Sequence, residues 1–230
     1  AAAATATTEA PAAARAPLAE LRDGARFVLH DRWLRPMLLT AVVWNLAWMV
    51  LQAAYVPHAM QQLGLGARGV GLTLSLFGIG MVVGALAVPR LILPRLTFGR
   101  AIVLGPVVSV LASAAMAASL WWPTPAWAAL SMFLFGAGPI VWTVTSTTLR
   151  QTITPPAMLG RAGSIFLTAN AGARPLGAAL GAAVAALAGP AQAAGACLLL
   201  SLAGFVRQAL MIGASPVRTL AALPDGPAPR

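Results

Sequence analysis

Arg174 and Pro175 stand side by side in an otherwise apolar run, FLTANAGARPLGAALGAAVAAL (residues 166–187), with Asn170 one helical turn earlier. A guanidinium at bilayer depth costs about 2.5–3.5 kcal/mol on insertion scales, and it stays charged at any accessible pH. Proline removes the backbone hydrogen bond to the residue four positions before it, which frees the carbonyl of Ala171. The turn thus offers a cation, an amide and a bare carbonyl, and Gly177 and Gly181 are expected on the same face. No Asp or Glu occurs between Asp31 and Asp225, so that whole stretch holds no carboxylate to pair with the arginine. Three readings stay open for Arg174: it meets an anionic group of a solute, it meets an acid elsewhere in the protein, or carbonyls and water satisfy it as a structural residue.

Two further constellations could bind a solute. Asn45, Trp48, Gln52 and Tyr55 recur at i, i+3, i+7 and i+10 and share one helical face. Amides interleaved with aromatics suit the wall of a water-filled cavity that takes an amphipathic solute, or else hydrogen bonding between helices. Thr143, Ser146, Thr147 and Arg150 follow at i, i+3, i+4 and i+7. Hydroxyls there commonly bond their own helix backbone, and packing is the favoured reading for them. Arg150, with Arg100 and Arg161 of the two GRA triplets, is expected near the membrane surface, as a headgroup anchor or part of a gate. His58 is expected at the interface.

These residues need elements that hold them at depth. Hydrophobic residues make up 59% of the chain and charged residues 9%, with a mean hydropathy of +0.82. An ordinary soluble domain is about 25% charged, so the composition indicates an all-α integral membrane protein. Six runs approach the roughly 20 apolar residues that one crossing requires. They are expected at 37–57, 69–93, 101–121, 126–147, 163–187 and 192–212, joined by short Gly-, Pro- or Arg-marked connections. Residues 1–17, rich in Ala and Pro, read as a disordered linker, 18–34 as an amphipathic surface helix, 35–213 as the six-helix domain and 214–230 as a tail.

All fifteen basic residues are arginine. Except for Arg68 and Arg174, they precede the first span, lie between the second and third or the fourth and fifth, or follow the core of the sixth. By the positive-inside rule, both termini are then cytoplasmic. The arginines are scattered singly between apolar runs, which argues against a nucleic-acid face. The lone Cys197 excludes an intrachain disulfide, and neither a metal site nor a cofactor is predicted. No HExxH, GxSxG or Walker loop is present, so an enzyme is not expected. The chain starts with Ala and shows no signal-peptide pattern, which suggests that it begins inside a larger gene product.

DGARFVLHDRWLRPMLL, GLTLSLFGIGMVVGALAVPRL with FGRAIVLG, and LRQTITPPAMLGRAGSIFLTANAGARPLGAALGA, in that order, resemble segments of the C-terminal half of major facilitator superfamily transporters. The similarity covers about residues 18–213 and is greatest to the bacterial siderophore and drug exporter group. It implies two inverted three-helix repeats, alternating access, export of a small-molecule substrate, and residence in the bacterial inner membrane. It also implies a partner besides the lipid bilayer: a missing N-terminal six-helix half, or a second copy. The alternative is a six-helix membrane module or truncated product without transport activity of its own, serving assembly.

Overall fold

The computed structural model describes residues 17–226, and every regular element among them is helical. The predicted linker therefore lies, Pro17 apart, outside the described residues. A short helix, α1 (Pro17–His30), leads into α2 (Leu34–Gln61), α3 (Ala67–Ala87), α4 (Phe98–Ala118), α5 (Pro125–Ile153), α6 (Leu159–Ala188) and α7 (Ala193–Gly213). The last six are long and apolar enough to cross a membrane. Helices are the solution here because a lipid interior offers no water to the peptide groups, and a helix bonds them internally.

The observed ends follow the expected ones with two differences. Helix α5 runs to Ile153, past its apolar run, because Leu149 and Ile153 are buried in a lower core with Leu34, Met37 and Phe166. It stops at Thr154, whose extended backbone is what a following proline demands. Helix α3 ends in a π-type turn, Val88–Ile92, where Leu93 N–H bonds the carbonyl of Val88 at 3.0 Å. Pro89 lacks an N–H, and the register slips by one residue beyond it.

The six spans form two interleaved triplets. Helix α2 packs on α6 and α7, α5 packs on α3 and α4, and α4 meets α7 between the two groups. Exchanging α2 with α5, α3 with α6 and α4 with α7 maps this pattern onto itself. Three helices per repeat reverse the chain direction, so the repeats are inverted in the membrane. Their equivalence is visible in the glycines. A Cβ on Gly80 or Gly84 of α3 would lie 2.1 or 2.4 Å from a backbone oxygen of α5, and one on Gly177 of α6 would lie 2.6 Å from Leu46 O of α2. Each GxxxG thus lets the second helix of one repeat touch the first helix of the other, the close approach that small residues permit in lipid.

Helix α1 and the C-terminal segment sit at one end of the bundle. Arg161 of α6 reaches Glu20 of α1 at 3.2 Å. After α7 the chain turns at Pro216–Thr219, buries Val217, and accepts hydrogen bonds from Phe98 and Gly99 N–H at Ala221 O and Leu220 O, 3.3 and 2.9 Å. The segment is therefore clasped to the start of α4.

Candidate functional site

Between α2, α4, α5, α6 and α7 lies a cavity of about 160 Å3 whose wall includes Trp44, Asn45, Ser109, Trp142, Asn170 and Gln208. One glycine and two prolines of the helix backbones, Gly105, Pro106 and Pro139, also line it. Proline within a helix exposes a carbonyl one turn back, and glycine leaves backbone uncovered, so polar groups become available inside an apolar bundle.

The polar groups are tied in a defined order. Asn45 donates Nδ2–H to the carbonyl of Ala41 at 2.9 Å and to Asn170 Oδ1 at 3.3 Å, joining α2 to α6. Asn45 Oδ1 and Asn170 Nδ2 then have no protein partner among the described residues, leaving one acceptor and one donor. Trp44 donates its indole N–H to Ser109 Oγ at 3.1 Å, and the Ser109 hydroxyl in turn donates to Gly105 O at 3.1 Å. Gln208 is buried on α7 and approaches Pro106 O with Nε2 in a long 3.5 Å contact.

An adjoining groove of about 250 Å3 between α5 and α6 shares Ala41, Trp142, Thr143 and Asn170 with the inner cavity. It adds Ser146, Thr147, Arg150 and Phe166. The Arg150 guanidinium lies 4.7 Å from the Phe166 ring centroid, a cation–π contact that holds it over the groove. Thr143 donates to Pro139 O at 2.9 Å.

The arrangement redistributes the residues expected from the sequence. Asn45 and Asn170 meet directly, although 125 positions separate them. Trp48 does not line the cavity: it stacks on Trp44 at 5.5 Å and meets Phe135 edge-on at 4.8 Å, inside an aromatic core that also holds Phe205. Tyr55 is likewise buried and hydrogen-bonds Thr73 of α3. Gln52 is half-buried, with an Oε1 that is buried without a partner. The shared face divides because α2 leans toward α6 at Asn45 and toward α3 at Trp48 and Tyr55.

Arg174 is exposed one turn beyond Asn170, near the middle of α6, and takes no hydrogen bond or ion pair among the described residues. Gly177 and Gly181 do not share its surroundings, since they are buried against α2. Arg100 is exposed beside Arg218 where the C-terminal segment meets α4, and Arg161 is the partner of Glu20. His58, expected at the interface, is buried with Nε2 2.7 Å from Ser119 Oγ. Trp44, Ser109 and Gln208 were not anticipated. An amide isolated in an apolar span was the available signal for Gln208, and its neighbour Arg207 masked it as a helix-end residue.

A family model described as Major Facilitator Superfamily matches residues 2–178. The chain belongs to the major facilitator superfamily. Members of this superfamily are membrane transporters rather than enzymes, and the match takes in Asn45, Ser109, Thr143, Arg150, Asn170 and Arg174. Gln208, on α7, lies outside the matched segment of this superfamily member. No curated protein matches the chain.

Proposed function

We propose that this superfamily member is the C-terminal six-helix half of a secondary transporter that exports small amphipathic solutes by alternating access. The cavity between five of the six apolar spans, with amides among its aromatic lining, carries the reading. Helix packing in lipid has no use for an open space lined by three amides and two indoles, whereas a solute site needs a few convergent polar groups on an aromatic wall. The arginine distribution favours cytoplasmic termini, and the resemblance to the exporter group favours outward transport across a bacterial inner membrane.

A second six-helix half is part of this proposal. In their most apolar windows only 22% of α3 and 17% of α6 are buried, against 56% of α4. The open side of α6 carries Arg174 at mid-helix, and lipid there would leave a guanidinium unsolvated. A water-filled central cavity, closed by the other half, answers that need. Arg100, Arg150 and Arg161, at the bundle end where α1 lies, are the gate candidates.

The test is efflux from cells producing the intact protein, measured with anionic, neutral and cationic amphipathic dyes. Asn45→Leu and Asn170→Leu remove the amide pair while keeping side-chain bulk. Each is expected to lower efflux of the transported dyes about tenfold at equal membrane abundance. Unchanged efflux of every dye in both variants would overturn the proposal.

A further inference from the structure

The outer groove is lined by one guanidinium and no carboxylate, with hydroxyls and an amide that can donate beside it. Elsewhere on α5, outside the groove, Thr145, Thr148 and Thr152 commit their hydroxyl protons to carbonyls of Val141, Val144 and Thr148, at 2.7, 2.9 and 3.0 Å. Ser146 and Thr147 stand between them, line the groove, and have no partner among the described residues. They lie four and three positions before Arg150, hence on the same face of α5 one turn away. Arg150 is half-buried, its face against Phe166 and its N–H groups without a carboxylate or carbonyl partner among the described residues. Asn170 Nδ2 adds a further free donor across the groove.

A guanidinium, two hydroxyls and an amide line one groove, and no acid between Asp31 and Asp225 offsets them. In a partly desolvated site such charge-assisted donors favour an anion, while a solute cation would meet an uncompensated like charge. A planar guanidinium also matches the two oxygens of a carboxylate. Beyond Thr143 and Asn170 the groove opens into the inner cavity, whose Trp44 and Trp142 offer apolar surface.

We propose that the α5–α6 groove is an anion subsite: Arg150, Ser146 and Thr147 hold the carboxylate of an amphipathic solute whose apolar body lies against Trp44 and Trp142. This assignment rests on the cavity being the solute site, and it names the charge class of that solute.

Three probes of equal size separate the possibilities: 4-phenylbutyrate, 4-phenylbutanol and 4-phenylbutylammonium, in equilibrium dialysis against the intact protein in lipid nanodiscs, with empty discs subtracted. The expected order is butyrate about tenfold tighter than the alcohol, with the ammonium weakest. Arg150→Gln is expected to abolish the tenfold preference, bringing butyrate to the level of the alcohol measured in the same variant. Equal binding of all three, or a butyrate preference that survives Arg150→Gln, overturns the anion subsite and leaves the cavity reading intact. Binding of none above empty discs overturns the cavity reading and the subsite with it. Should Arg150→Gln fail to fold, the order of the three probes on the unmodified protein decides, and any order other than anion, alcohol, ammonium overturns the assignment.

Discussion

Gly78 and Gly80 lie two residues apart on α3, and changing each to alanine should move stability in opposite directions. A Cβ on Gly80 would sit 2.1 Å from Phe133 O and 3.0 Å from Ala137 N, both backbone atoms of α5. Ordinary contact begins near 3.4 Å, so α3 and α5 must part by about 1.3 Å. Neither atom can swing aside as the tip of a flexible side chain would. Overpacking of this kind costs about 1–3 kcal/mol, with a rigid backbone placing it toward the upper part, against about 1 kcal/mol gained by replacing helical glycine with alanine. The net loss for Gly80→Ala is about 1–2 kcal/mol. Gly78 has no atom within 4 Å of its would-be Cβ, so Gly78→Ala keeps the gain of up to about 1 kcal/mol.

The chain supplies a reporter for this comparison. Cys197 is its one cysteine and is fully buried, so a thiol-reactive dye labels it only when the bundle opens. At about 2–4 °C per kcal/mol, Gly80→Ala should lower the midpoint of thermal labelling by about 2–8 °C, and Gly78→Ala should leave it unchanged or raise it. Equal shifts in the two variants, or a larger loss for Gly78→Ala, would refute the claim that α3 and α5 touch through Gly80.

Two other substitutions probe the ends of the bundle. Ser119→Ala removes the partner of His58 Nε2 and leaves both ring nitrogens buried without a bond, since Nδ1 already has none; a loss of about 1–3 kcal/mol is expected in the same labelling assay. Glu20→Gln breaks the only salt bridge among the described residues, but its side chains are 27% and 45% exposed, so the change in stability should stay below about 1 kcal/mol, and protease sensitivity of α1 is the more telling measurement.

The six spans were legible in the sequence because each satisfies a constraint that acts along the chain: about 20 apolar residues in a row, with every peptide group bonded inside its own helix. The same local logic put Arg174 midway along the fifth span and exposed the lack of any acid between Asp31 and Asp225 to meet it. Helix ends were less legible where packing, rather than hydropathy, extends them, as Leu149 and Ile153 do for α5.

Tertiary structure alone decided which of the polar residues meet. Asn45 finds Asn170 on α6, Trp44 finds Ser109 on α4, and Gln208 comes to Pro106 across α4 and α7. Helical periodicity states which residues share a face, but not which helix that face meets or how the crossing divides it. So Asn45 opens on a cavity, while Trp48 and Tyr55 of the same predicted face close into the aromatic core and against α3. The interleaving of the repeats is the physical reason: α2 packs on α6 and α7, and α5 packs on α3 and α4. Contacts between segments so distant in the chain depend on side-chain fit across the whole bundle, which no spacing within one helix encodes.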